Sequence, residues 1–307
     1  LGLKEIFSPF SFPENSMKKL LIALVAFVWA PLALAVTPYI AGDKIAAGDV
    51  KTALATVEKK LQAEGFEVIG RHTPKGLPNH ASLIVTDKGL LDAIKAAGGQ
   101  AVVGAAIRVG VKNDGSVSYM NPDYWYRAYL RKQFGAAESA VKAVQGKLSK
   151  ALGAGKGFGG DVPAEDLPTY RYMFGMERFD AEVNELKTHT SFEVAVKTIQ
   201  ESLAKGVGNT GKVYEVIMAD KKMAVFGVAL NDPELGEGWW VNKTGPDHIA
   251  AMPYEIYVVG NKVGSLFGRY RIALAWPSLG MGTFMTISNA PDVIHETMAL
   301  IAGGGSK

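Results

Sequence analysis

His72 and His80 bracket the segment Thr-Pro-Lys-Gly-Leu-Pro-Asn, short enough for a hairpin to bring two imidazoles together. With Met120 or a carboxylate they would form a copper or zinc site, since imidazole serves both metals. The competing reading is a pair of solvated loop histidines. His189, His248 and His295 stand apart, and no His-x-x-x-His or His-Glu-x-x-His spacing occurs. Serine hydrolysis lacks its Gly-x-Ser-x-Gly elbow, and Ser265 after Gly264 reads as a helix cap. Gly155-Lys156 is not a phosphate loop: Gly157 follows the lysine, and Lys150 stands where an earlier glycine is required. With 0 cysteines, thiolate catalysis, disulfides and cysteine–metal clusters are excluded. Asp123, Glu255 and Asp292 fall at capping or strand positions, which leaves paired-carboxylate chemistry open.

Aromatic residues carry more information. Tyr124, Trp125, Tyr126, Tyr129 and Phe134 fall on one expected helix. Tyr126, Leu130 and Phe134 make a stripe suited to a core, while Trp125 and Tyr129 make a second, so the helix is apolar over more than one face requires. Trp239-Trp240 stands in what reads as a loop, Gly-Glu-Gly-Trp-Trp-Val-Asn-Lys. Packing between domains is one use of such a surplus. The other is an aromatic-lined ligand cleft. Tyr124, Trp125 and Tyr129 follow the Asn121 cap and so lie beside the positive end of the helix, with Arg71, Arg127 and Arg131 as candidate neighbours. That combination suits a small amphipathic or anionic ligand.

The elements that must position these residues occur twice. Residues 49–64 place Val50, Leu54, Val57 and Leu61 on one helical face, followed by strands at Phe-Glu-Val-Ile-Gly-Arg-His and Ala-Ser-Leu-Ile-Val-Thr-Asp and a short helix through residue 98. An alternating strand, an Asn-Asp-Gly turn, a returning strand and a helix started by Asn121-Pro122-Asp123 complete the unit. From Phe192 the order repeats: a helix, a hairpin, the strand Pro-Tyr-Glu-Ile-Tyr-Val-Val-Gly, a short turn or helix at Asn-Lys-Val-Gly-Ser-Leu-Phe-Gly, and an expected strand Arg-Tyr-Arg-Ile-Ala-Leu-Ala-Trp. Thr-Phe-Met-Thr-Ile-Ser is expected to return as a strand before a final helix capped at Asn289. Two copies are expected, at 36–150 and 178–307, joined by a Gly/Pro-rich linker over 151–177. The stripe Val141, Val144, Leu148, Leu152 extends the first copy's last helix after a break at Gly135.

Glu-Gly-Phe-Glu-Val-Ile-Gly-Arg in the first copy and Glu-Ile-Tyr-Val-Val-Gly-Asn-Lys-Val-Gly-Ser-Leu-Phe-Gly in the second resemble the bacterial domain-of-unknown-function 302 family. Lys262 and Ser265 replace that family's proline and threonine, and the first copy keeps only Val-Thr-Asp-Lys-Gly-Leu-Leu there. The resemblance implies an α+β chain of two tandem β-α-β4-α units of TATA-binding-protein-like shape, with antiparallel sheets carrying helices on one face. It implies no reaction.

Met17-Lys18-Lys19, an uncharged run from Leu20 to Trp29 and Ala33-Leu34-Ala35 have the pattern of a secretory signal peptide cleaved after Ala35. The apolar run to Val36 is broken by Pro31 and falls short of the ~20 residues of a spanning helix. The expectation is a periplasmic protein that is not an integral membrane protein after cleavage, with residues 1–16 read as translated upstream sequence. The net charge is +3 and becomes +2 without residues 1–35, which gives no case for nucleic acid. The function expected is a non-catalytic periplasmic binding or accessory protein holding a small or apolar ligand between its domains or under its last helices, its cofactors unknown. It would be a monomer with pseudo-two-fold domain pairing, or a homodimer. The alternative is a metal-dependent enzyme or metal-binding protein using His72 and His80.

Overall fold

In the computed structural model residues 35–305 are described; the expected leader over 17–35 lies outside them except for its last residue, and 1–16 lies outside entirely. The first half opens with short strands β1 (Ala35–Val36) and β2 (Tyr39–Ala41). Helix α1 (Val50–Ala63) starts where the Asp49 carboxylate accepts from the Thr52 amide at 2.9 Å, and it buries Val50, Leu54, Val57 and Leu61 as the spacing predicts. Strands β3 (Glu67–His72) and β4 (His80–Thr86) form a hairpin; Asp87 caps α2 (Lys88–Ala97), accepting from the Leu90 amide at 3.0 Å. A 3-10 stretch, Gly99–Ala105, leads into β5 (Ile107–Lys112) and β6 (Val117–Met120). Asn121 caps α3 (Pro122–Leu130), with Pro122 in the first turn, and α4 (Phe134–Leu152) follows.

The linker supplies two further strands. β7 (Gly157–Phe158) pairs with β2, and β8 (Val162–Pro163) pairs with β1. The second half contains β9 (Glu185–Thr188), α5 (Phe192–Ala204) capped by Ser191, and the hairpin β10 (Thr210–Met218) and β11 (Met223–Leu230). Then come α6 (Glu237–Thr244), a 3-10 stretch Pro246–Ala251, β12 (Tyr254–Val259), β13 (Lys262–Gly264), α7 (Gly268–Ala275), α8 (Met281–Met285) and α9 (Ala290–Ile301).

The chain is α+β, and its sheets are antiparallel. Besides the β1-β8 pair, one sheet runs β3-β4-β5-β6-β2-β7 and another β10-β11-β12-β13-β9. Apart from β7, the two orders match strand for strand. Helix α1 covers β3, β4 and β5, and α5 covers β10 to β13, each on one face of its sheet. On the opposite faces the halves meet: the 246–251 stretch packs on β4, β5 and β6, while 99–105 packs on β11 and β12.

Six sequence expectations are corrected. Ser265 caps no helix, since its hydroxyl donates to the Glu255 carbonyl at 2.8 Å, and the Asn289 side chain makes no cap bond to α9. Arg-Tyr-Arg-Ile-Ala-Leu-Ala is helix α7, not a strand; it is buried almost all round, so no period distinguishes the two states. Thr-Phe-Met-Thr-Ile-Ser is not a returning strand, because α8 and a turn occupy it. Consequently α7 matches α3 in order, and the Asn-Ala-Pro-Asp helix matches α4 rather than α3. Trp239-Trp240 lies on helix α6, not in a loop, and the break after α3 falls at Arg131 (φ 54°) rather than Gly135.

Across the seam, matching positions hold unlike residues. Gly70, Ile84 and Arg108 stand opposite one another along β3-β4-β5, and Tyr214, Gly227 and Glu255 do so along β10-β11-β12. A Cβ on Gly70 would fall 2.7 Å from the Val213 carbonyl oxygen and 3.1 Å from the Tyr214 Cβ. Glycine therefore allows the two hairpins to approach there. Arg108 meets Glu255 directly.

Candidate ligand groove

Trp125 is interior, 0% exposed, its indole N–H donating to the Pro38 carbonyl at 2.8 Å. Around it Arg108 and Arg271 share a single carboxylate, Glu255. Arg108 Nη1 contacts it directly, and Arg271 Nε donates to it at 3.0 Å. Arg108 Nε also donates to the Ala250 carbonyl at 3.2 Å, and Arg271 Nη2 to that of Ala251 at 2.6 Å. Two buried cations against one anion leave a surplus positive charge in a low-dielectric interior. The indole face offsets part of it, since both guanidinium carbons lie 5.0 Å from the Trp125 ring centroid. Tyr129 is also buried and accepts from Arg108 Nη2 at 3.4 Å. Tyr124 donates to the Leu274 carbonyl at 2.8 Å, and burial pushes its hydroxyl well above the ordinary tyrosine range.

The aromatic wall expected beside the Asn121 cap thus faces the seam between the halves. The expected arginines do not converge on it. Arg71 pairs with Glu58, Arg127 with Asp123 and Arg131 with Asp180. Tyr129 and Arg131 do share one open polar groove, with Gln100, Lys132 and Phe179 on its walls. On α6, Trp240 is buried edge-on to Trp276 at 5.4 Å, while Trp239 is partly buried beneath Lys243.

The two candidate metal ligands of the β3-β4 hairpin have separate surroundings. His72 is opposite Ser82, not His80, and its Nε2 lies 2.6 Å from the buried Glu237 carboxylate. His80 stands opposite Lys112, and burial followed by that ammonium lowers its pKa. Met120 Sδ accepts from the Arg108 amide at 3.3 Å. Among the described residues no three or more His, Cys, Asp or Glu side chains are grouped to hold a metal ion.

An apolar slot lies under the last helices. Ile272, Ala273 and Trp276 of α7 and its end form one wall, Leu279 and Phe284 the second, and Tyr172 and Met176 the third; Arg269 stands among them. It is nearly closed: a water-sized sphere finds only about 10 Å³ in it, so an acyl chain would enter by parting its walls. The third wall is held by three ties: Tyr170 donates to the Ala273 carbonyl at 3.0 Å, Tyr172 to that of Leu279 at 3.4 Å, and Arg269 grips Glu177 at 3.0 and 2.5 Å. The Arg269 hydrogen bonds hold the Glu177 carboxyl below the usual range and raise the guanidinium.

The segments flanking this slot expose large apolar side chains, which soluble surfaces seldom group. Phe174 is 96% exposed, Met285 62%, Met173 45% and Met281 43%. From Trp276 to Pro291 there is no charged residue. That charge-free run was the available sequence signal, hidden by its reading as a strand. No family model and no curated protein matches the chain.

Proposed function

We propose that this chain is an exported, non-catalytic periplasmic binding protein whose slot between α7, α8 and residues 172–176 takes the apolar chain of a small amphipathic ligand. The observation that carries this reading is the slot itself: seven apolar or aromatic side chains with one cation, opening between segments that expose Met and Phe. Ligand sites are typically apolar clefts with few polar groups, and methionine accommodates variable apolar shapes. Arg269 is already paired with Glu177, so a ligand's polar end would lie at the open mouth, towards solvent.

The architecture we propose is two copies of one β-α-β4-α unit. The matching strand orders and the paired seam rows favour it. Export is read from the Met17–Ala35 pattern, and N-terminal sequencing of protein recovered from the periplasm should find Val36 first.

The binding test uses Trp276 as reporter. A brominated fatty acid should quench its fluorescence saturably, and Trp276→Phe should remove most of that quenching. Ala273→Trp fills the slot and should abolish it. Saturable quenching unchanged in Ala273→Trp would refute the assignment.

A further inference from the structure

We propose that the rim of this slot docks on an anionic lipid bilayer, with Phe174 and Met285 as the inserting side chains; the inference rests on the binding reading of the same slot and names the surface from which its ligand comes. Phe174 projects from a bend between Met173 and Gly175 and is almost wholly exposed. The neighbouring segment 279–285 presents Met281 and Met285. The two segments abut, because Tyr172 is tied to Leu279 and because Met176 and Phe284 line one slot. Side chains of this kind seat at the headgroup–acyl boundary when apolar area and attraction to anionic lipid act together.

Charge selects the occupant. Three cations on or next to the segments of the rim lie outside any ion pair within the described residues, Arg171 among them half-buried. Arg171 lies 5.9 Å from the Phe174 ring, Arg178 ends the same segment, and Lys243 donates to the Thr286 carbonyl beside α8. The one carboxylate of the segment, Glu177, is already neutralised by Arg269. A surface that is apolar at its tip and positive at its edge complements anionic headgroups over acyl chains, each basic residue adding to the attraction. A second copy of this chain would instead bring these cations against their own kind.

Flotation of the full mature chain with vesicles tests this. Vesicles of equal parts phosphatidylcholine and phosphatidylglycerol should bind it, phosphatidylcholine alone about tenfold more weakly, and high salt should release it. Phe174→Ser with Met285→Ser should lower vesicle binding about tenfold while melting temperature and quenching of Trp276 by free brominated fatty acid, without vesicles, stay unchanged. Arg178→Glu with Lys243→Glu should remove the preference for phosphatidylglycerol. Equal binding to both vesicle types, or binding untouched by the Phe174/Met285 pair, would overturn docking and leave the slot assignment standing. So would light scattering showing a dimer that Phe174→Ser dissolves, because the rim would then belong to a second copy.

Discussion

Replacing Glu255 by Gln should cost more stability than replacing Arg108 by Met. Arg108, Glu255 and Arg271 are each no more than 2% exposed, so solvent screens none of the three. Glu255→Gln preserves volume but raises the surplus from one buried positive charge to two. Stranding a buried charge by removing its partner costs about 3–5 kcal/mol. For a chain of this size that is roughly 5–9 °C in melting temperature. Arg108→Met acts oppositely on the charge: it leaves Arg271 and Glu255 as a balanced pair and keeps an unbranched apolar stem. Its cost is the loss of the bonds to Ala250 and Tyr129 and of packing on Trp125. Urea melts of the two variants, fitted with a common slope, measure the order directly. An Arg108→Met loss equal to or larger than that of Glu255→Gln would show that hydrogen bonds, not the charge imbalance, dominate the seam, and the electrostatic account of Trp125 would fall with it.

Trp125→Ala should lose about 3–5 kcal/mol of stability in the same melts, as a buried tryptophan does, while slot binding by surviving folded protein stays unchanged. Acid should destabilise the fold in a histidine window. Burial holds His248 below its ordinary value, opposed by its bond to the Ala275 carbonyl, and burial with Lys112 does the same to His80. The unfolded chain then binds these protons first, so the stability present above about pH 6.5 declines as pH falls through that value towards the folded pKa values. Melts between about pH 7 and pH 5 should show the decline, and His248→Gln should flatten it; an unchanged slope would remove His248 from the account.

Much of the scaffold was legible because its signals are local. Asp49, Asn121 and Ser191 each cap a helix, and the alternation in 107–112 marks a strand with one face to the helices. The misreadings fall where tertiary burial erases the period. Helix α7 is enclosed on all sides, and its Arg271 occupies an interior position that a helical pattern reserves for an apolar residue. Glycine 268 permits that enclosure, because a Cβ there would lie 2.4 Å from the Pro291 Cα. Trp125 stands out in the sequence as surplus to its own helix, but the guanidiniums on it come from Arg108 of β5 and Arg271 of α7, and only the fold joins them. The slot was legible only as a place under the last helices. Its walls come from a segment with no periodic signal and from α8, a five-residue helix too short to declare itself.

The unlike rows across the seam also restrict how molecules can trade parts. Two first halves brought together would set Arg108 against Arg108 and leave facing glycines with nothing to fill them. Two second halves would set Glu255 against Glu255 and crowd Tyr214 against Tyr214. A first half therefore has one acceptable mate, a second half, whether from its own chain or a neighbour's. If chains ever exchange halves, the exchange must be reciprocal, and every seam in the product reproduces the Arg108–Glu255 contact within a single chain.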